Sequence, residues 1–187
     1  GRKIIDIIRG LWGDDSRIDF YQIEDNRIKR NVESVAAIFF ENNLKYNGKG
    51  FFNLETLNYG TNYNLCEFEP FRDQPIGAPR VCTGFLIADD IIATAGHCIN
   101  DKNFDSLRFL FGYHMTTLST PVTQIPDKDV YKGSRIIAIA HDRKMKSDWA
   151  LVQLDRKVKD RPAAILSKDG VSRDQPVYVL GYPCGLP

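Results

Sequence analysis

Apolar residues in this chain come in short runs separated by polar or glycine-rich turns. From position 34 onward, the runs occupy residues 35–40, 51–52, 82–87, 91–95, 107–112, 136–140, 149–154 and 177–182. Runs of this length, rich in Val, Ile, Leu and Phe, are typical of β-strands, and no long amphipathic helix interrupts them. We therefore predict an all-β sandwich or barrel. A closed barrel would also remove the exposed edges of so many apolar strands.

The same pattern predicts how the chain is organised. Residues 1–33 are charged and irregular, which indicates an N-terminal extension that packs on the body. Residues 34–155 hold the closely spaced strands of the main domain. Proline and polar residues break the pattern after Leu154, so we predict a linker over residues 156–175. Residues 176–187 then begin a further unit, starting with a strand.

Composition and charge narrow the classes of partner. The chain is 43% hydrophobic and 26% charged, and its 25 basic and 24 acidic residues give a formal net charge of +1. Such a balance favours a globular domain and gives no electrostatic reason to expect nucleic acid or an anionic membrane as a partner. No apolar run approaches the ~18–20 residues that a membrane-spanning helix needs.

The four cysteines, Cys66, Cys82, Cys98 and Cys184, include no C-x-x-C pair. This spacing argues against a zinc ribbon or a thioredoxin-like motif. An even number of cysteines without metal-ligand spacing favours disulfides, of which three pairings are possible. Disulfides persist in oxidising compartments, so we expect a secreted or periplasmic protein.

One histidine stands in a distinctive setting. Residues 82–87 read CTGFLI, and after a tight turn residues 91–98 read IIATAGHC. This arrangement resembles the region around the catalytic histidine of the trypsin-like serine proteases. The resemblance implies that Cys82 and Cys98 form a disulfide and that His97 is the general base.

An aspartate follows in the order that this family uses. Residues 148–154 read DWALVQL, which resembles the strand that carries the orienting carboxylate of trypsin-like proteases. The resemblance implies that Asp148 accepts a hydrogen bond from His97 and stabilises the imidazolium. In the family's chain order a nucleophilic serine comes third, yet no G-x-S-G occurs in the chain.

The last residues suggest where that serine belongs. Residues 176–183 read PVYVLGYP and resemble the first strand of the family's second barrel. The resemblance implies an all-β, trypsin-like double β-barrel, of which this chain holds the first barrel plus the first strand of the second. The nucleophile and the substrate pocket would then lie beyond this sequence, and the chain alone would be inactive. Residues 65–75 resemble bacterial secreted members near the glutamyl endopeptidases.

Other candidate residues carry less chemistry. Cys66 and Cys184 remain after the first pairing and could bridge each other, stay as thiols, or find partners outside this sequence. His114 and His141 are interpreted as surface residues, with a peripheral substrate contact as an alternative for His141. No metal or organic cofactor is implied.

Several apolar positions are candidates for the core. We expect Phe109, Phe111, Trp149 and the isoleucine-rich run at 136–139 to be buried.

The sequence therefore predicts a serine endopeptidase that acts on proteins or peptides and is completed by a second barrel, in cis or in trans. One alternative is a non-catalytic, protease-like binding protein, and another is a half-enzyme completed by a partner chain. A third is a metal-binding module built on Cys82, His97, Cys98 and another cysteine, which would contain zinc and free thiols.

Overall fold

The computed structural model describes residues 15–77, 82–142 and 144–187. Two α-helices and thirteen β-strands lie within these ranges. They are α1 (Asn26–Val32), α2 (Tyr59–Tyr63), β1 (Val35–Phe40), β2 (Leu44–Tyr46), β3 (Phe51–Leu54), β4 (Thr56–Asn58), β5 (Pro75–Gly77), β6 (Cys82–Ala88), β7 (Ile91–Thr94), β8 (Leu107–Leu110), β9 (Met115–Thr117), β10 (Thr120–Pro121), β11 (Gln124–Pro126), β12 (Val130–Asp142) and β13 (Ser147–Leu154). The predicted extension is described only from residue 15 onward.

Six strands close into an antiparallel barrel in the order β1–β6–β7–β13–β12–β8. The first strand closes it by pairing on both sides, with Ala36 opposite Gly84 of β6 and Ile38 opposite Phe109 of β8. The all-β prediction is therefore confirmed. Because every barrel strand has two neighbours, its backbone N–H and C=O groups find partners without leaving an exposed edge.

Side-chain alternation along the barrel strands supplies two cores. Ile38 and Phe109 belong to the cluster that includes Leu86, Ile92 and Val152. The intervening residues, such as Phe39 and Leu110, join a second cluster with Leu54, Tyr113 and Ile125. Successive residues of a strand point to opposite faces. A strand buried on both faces therefore reads as a continuous apolar run, as residues 35–40 do.

Smaller elements cover the outside of the barrel. Strands β2, β3 and β11 form a three-stranded sheet, while β4 pairs with β5 and β9 with β10. The described part of the extension packs beside these elements. The side-chain amide of Gln74, just before β5, donates to Asp19 at 2.7 Å, and the ring of Phe20 lies 4.3 Å from that of His114, just before β9. Asp25 begins α1 by accepting from the backbone N–H of Arg27.

The segment after the barrel is held at its two ends. Near its start, the backbone N–H of Val158 donates to Asp89 at 2.7 Å and that of Ala164 to Leu86 at 2.8 Å. Near its end, the backbone N–H of Tyr182 donates to the Thr83 hydroxyl at 2.9 Å. Between these points several apolar side chains lie in solvent, with Ile165 99% and Val179 93% exposed, whereas Leu180 packs against the second core cluster.

Two sequence-based expectations are wrong. Residues 177–182 form no strand, because no other strand of the described chain lies alongside to accept and donate backbone hydrogen bonds. Trp149, Ile137 and Ile139 are exposed rather than buried. Burial alternates along this part of β12, and Ile137 and Ile139 lie on its more exposed face, whereas Trp149 lies at the exposed start of β13. Phe109 and Phe111 are fully buried, as expected.

None of the helices within the described ranges combines the length and the apolar character needed to cross a membrane.

Candidate active site

His97 lies on a short 3-10 turn, Gly96–Cys98, that is separated from the end of β7 by Ala95 alone. A disulfide joins Cys98 to Cys82, the first residue of β6, with the two Cα atoms 6.3 Å apart. It is the same pair that the family resemblance implies. The disulfide fixes the C-terminal side of the histidine turn to the barrel wall, which restricts movement of the backbone that carries the imidazole.

Gly96 explains why the turn can sit so close to the neighbouring hairpin. A Cβ at this position would lie 2.4 Å from the carbonyl oxygen of Ala140 and 3.0 Å from that of Trp149. Both contacts are with backbone atoms, which cannot rotate away as a side chain can. The absence of a side chain at Gly96 therefore allows the backbone of the histidine turn to rest directly on β12 and β13.

Asp148 sits on β13 at the point where the histidine turn meets it. One carboxylate oxygen, Oδ2, lies 2.7 Å from Nδ1 of His97. The other, Oδ1, accepts the backbone N–H of His97 at 2.8 Å. The carboxylate thus contacts both the ring and the backbone N–H of His97, and this double contact fixes the orientation of the imidazole.

His141 is a third member of this cluster. It lies on β12 directly opposite Asp148 in the antiparallel register, and its Nδ1 is 3.2 Å from Asp148 Oδ1. The rings of His97 and His141 stand 6.2 Å apart at a steep angle. Sequence reasoning treated His141 as a surface residue. Its exposure fits that description, with 47% of the side chain accessible, but its contact with Asp148 was not foreseen.

A signal for His141 does exist in the sequence. The two apolar runs at 136–140 and 149–154 flank a polar stretch, and a hairpin between them would pair positions on either side of that turn. The observed register pairs 141 with 148. From Ala138 to the turn the pairing is regular, so this pair depends on the point at which the turn closes, and the polar stretch does not fix that point.

The surroundings of the Asp148 carboxylate favour its ionised form. The hydrogen bond from the His97 side chain holds the pKa of Asp148 far below its usual range, and the His97 backbone N–H and the His141 side chain lower it further. Because Asp148 is ionised and can only accept, the short contact between His97 Nδ1 and Asp148 Oδ2 requires the proton to be on Nδ1. Nε2 of His97 is then the nitrogen with a free lone pair.

The cluster is open to solvent. Side-chain exposure is 57% for His97 and 44% for Asp148. A group that reaches His97 Nε2 could therefore come from a substrate or from another protein segment without any rearrangement of the barrel.

Two groups of side chains among the described residues have the ligand atoms for a metal ion. One consists of Cys82, His97 and Cys98, and the other of His97, His141 and Asp148. In the first, both sulfurs are joined in the disulfide. A metal binds the thiolate form of cysteine, so this group fits no metal while the disulfide is intact.

The remaining two cysteines are not joined to each other. Cys66 and Cys184 are exposed free thiols in the structure. The sequence left open whether these cysteines bridge each other, stay as thiols or pair with residues outside this sequence, and in the structure they are thiols. Cys184 lies near Tyr59, whose pKa is raised to about 12 by burial and by the neighbouring thiol.

A closed antiparallel barrel that presents an exposed imidazole–carboxylate pair is the architecture of one half of a trypsin-like peptidase. The family model described as the trypsin-like peptidase domain matches residues 82–187, which is more than half of the chain. The chain therefore belongs to the trypsin-like peptidase family. The matched region contains His97, His141 and Asp148. The placement near the glutamyl endopeptidases stays a prediction.

Proposed function

We propose that this chain supplies the general base and its orienting carboxylate to a serine-type endopeptidase. The observation that carries the proposal is the double contact between one aspartate and one histidine: Asp148 accepts from His97 Nδ1 at 2.7 Å and from the His97 backbone at 2.8 Å. This geometry selects the imidazole tautomer whose Nε2 can accept a proton.

In the proposed mechanism, His97 Nε2 takes the proton of a serine hydroxyl as that oxygen attacks the peptide carbonyl. Asp148 stabilises the imidazolium that results. The imidazolium then gives its proton to the leaving amine, and the acyl-enzyme is hydrolysed by water in the reverse sense. The substrate is a protein or peptide. Nucleic acid and membrane are not proposed as partners, and no cofactor is required.

The serine and the donors that stabilise the oxyanion would come from a second barrel, supplied in cis or in trans. The exposed apolar side chains after the first barrel support this arrangement. Ile165, Val171, Val177 and Val179 are each more than two-thirds exposed. Exposed apolar groups that cluster along one segment commonly mark a surface that another domain or chain covers.

The same exposed segment favours the half-enzyme as a second candidate, in which a separate partner chain provides the serine. The non-catalytic binding protein receives no comparable support, because binding alone gives no chemical reason to keep His97 and Asp148 in this geometry. We further propose secretion or periplasmic export, since the Cys82–Cys98 disulfide is stable in an oxidising compartment.

The experiment is an intact-mass measurement of the protein as its source organism makes it, with and without a fluorophosphonate probe. One probe adduct on a polypeptide larger than these 187 residues would support the endopeptidase in cis. An adduct on a co-purifying chain would support the half-enzyme. No adduct on either would leave the non-catalytic binding protein as the better description.

Variants then test the roles of the two residues. In serine proteases with a Ser-His-Asp triad, exchanging the orienting aspartate for asparagine lowers kcat about 10,000-fold. In the probe-reactive form, Asp148→Asn should therefore lower kcat by about that factor and strongly reduce probe labelling. His97→Gln should abolish probe labelling. His114→Gln, which removes a histidine packed against Phe20 instead, should label as the wild type does. Equal labelling of all three variants would contradict the proposed roles.

A further inference from the structure

We infer that His97, His141 and Asp148 form a binding site for a divalent transition-metal ion such as Zn²⁺, and that the ion would reversibly block the proposed general base. The ligand atoms of the three side chains all lie within 4.8 Å of one another. The blocking role rests on the proposed function, whereas binding of the ion does not.

The spacing is close to what one ion requires. Zinc binds imidazole nitrogens and carboxylate oxygens at about 2.0–2.2 Å, so two ligand atoms on a tetrahedral ion lie roughly 3.3 Å apart. His141 Nδ1 and Asp148 Oδ1 are 3.2 Å apart, and His97 Nδ1 and Asp148 Oδ2 are 2.7 Å apart. Small side-chain rotations would bring all three groups onto one ion that replaces the protons now shared between them.

The ligands are also held in advance by the barrel. His141 and Asp148 are paired residues on adjacent strands, and His97 is fixed by the disulfide at Cys98 and by its backbone bond to Asp148. Because the fold already holds the ligands close together, little conformational entropy is lost when they bind an ion. Because all three side chains are exposed, water can occupy the fourth position of a tetrahedral ion.

The chemistry of the donors selects the class of ion. Two imidazoles and one carboxylate suit zinc, copper or nickel. Calcium takes 6–8 oxygen ligands and magnesium prefers carboxylates, phosphates and water, so neither fits this set.

Occupation of the site would have a direct chemical consequence. A metal ion binds neutral imidazole through the lone pair of one ring nitrogen, so an ion on His97 Nδ1 requires the ring proton to move to Nε2. Nε2 then has no lone pair with which to take the proton of a serine hydroxyl. The general base would be blocked until a chelator removes the ion and the proton returns to Nδ1.

The binding test uses metal-stripped protein titrated with Zn²⁺ by isothermal calorimetry near neutral pH. Exposed thiols also bind zinc, so every sample carries Cys66→Ser and Cys184→Ser. We expect one ion per chain and no comparable binding of Mg²⁺. Even residues that only orient a metal ligand are worth about 10–100-fold in affinity, so His141→Ala should weaken binding at least that much. Asp148→Asn should do likewise, and His114→Gln should bind as its parent does.

Absence of stoichiometric zinc binding in the parent protein, or binding that survives both His141→Ala and Asp148→Asn, would overturn the site. Circular dichroism of each variant shows whether the barrel remains folded, and Asp148→Asn preserves side-chain volume in case His141→Ala does not fold.

A second measurement tests the consequence separately. In the probe-reactive form, Zn²⁺ should suppress fluorophosphonate labelling, and EDTA should restore it. Zinc binding without any probe-reactive form would refute the proposed peptidase while leaving the metal site in place. Probe labelling that zinc binding does not alter would refute the blocking role alone.

Discussion

Two stretches of this chain have similarly apolar sequences and different structures. Residues 150–154 read ALVQL and form part of β13, whereas residues 177–182 read VYVLGY and form no strand. Val152 is fully buried, while Val179 is 93% exposed. The difference lies in the neighbours: β13 pairs with β7 on one side and β12 on the other. An apolar run becomes a strand only where another strand completes its backbone hydrogen bonds.

The cysteines provide the largest expected contrast between the barrel and the segment that follows it. The Cys82–Cys98 disulfide closes a loop with a sequence separation of 16, and a loop of that size contributes about 3 kcal/mol by restricting the unfolded chain. Replacing both residues by serine should lower the free energy of unfolding by about that much, measured by urea denaturation. The double change Cys66→Ser and Cys184→Ser removes two exposed thiols and should have an effect of less than about 0.5 kcal/mol.

An equal loss in the two double variants would show that the free thiols are structural and that the segment bearing Cys184 is as firmly packed as the barrel.

A matched pair of valines compares the two regions directly. Val152→Ala removes two methyl groups from the fully buried barrel core and should lower the free energy of unfolding by about 1.5–3 kcal/mol. Val179→Ala changes a side chain that is 93% exposed and should cost less than about 0.5 kcal/mol. Thermal or urea unfolding of both variants gives the comparison. If Val179→Ala were as costly, the segment would already be buried against a partner in the sample.

How far the sequence could predict the molecule follows from the same contrast. Strand β1 was predictable because both of its faces are buried, which produces a continuous apolar run. Strands β6 and β7 bury one face and only partly cover the other, and their apolar runs were recognised by their length and by the turns that bound them. The short strands β4 and β5 could not be predicted, because Thr56–Asn58 and Pro75–Gly77 are only three residues long and show no alternation of apolar and polar residues. A strand over 177–182 was predicted wrongly, since local pattern carries no information about whether a partner strand is present.

The candidate site divides in a similar way. His97 and Asp148 were predictable because short sequence motifs surround them. His141 has no such motif, and its place beside Asp148 depends on the point at which the β12–β13 hairpin turns, which the polar stretch between the two apolar runs does not fix. Trp149 was expected in the core from its size, but the strand extends past the covered region and leaves 46% of this residue exposed.

Glycines extend the comparison to the site itself. A Cβ at Gly96 would overlap the Ala140 carbonyl, whereas one at Gly170 would meet nothing within 4 Å. Gly96→Ala should therefore destabilise the protein by about 1–3 kcal/mol, as overpacking against backbone does, and should also displace His97 and reduce probe labelling. Gly170→Ala should change stability by less than about 0.5 kcal/mol. Normal labelling of Gly96→Ala would mean that the histidine turn tolerates a wider separation from β12 and β13.

The smallest expected effect concerns the extension, and it is a dependence on pH. Burial raises the pKa of Asp19 above its usual value, and the hydrogen bond from Gln74 partly offsets this. Between the usual Asp pKa and the raised one, the folded state binds more protons than the unfolded state. The contribution of Asp19 to stability is therefore fully present below the usual pKa and is lost as pH rises through the raised pKa.

Asp19→Asn tests this, because asparagine does not ionise and can still accept from Gln74. The free energy of unfolding of the wild type should fall relative to that of Asp19→Asn as pH rises from about 3 towards neutrality. Gln74→Ala removes the donor that favours the charged form of Asp19, so its relative loss of stability with rising pH should be steeper than that of the wild type. Urea unfolding at several pH values measures all three curves. Parallel curves for the wild type and Asp19→Asn would mean that the pKa of Asp19 is the same in the folded and unfolded states, so that burial does not outweigh the hydrogen bond from Gln74.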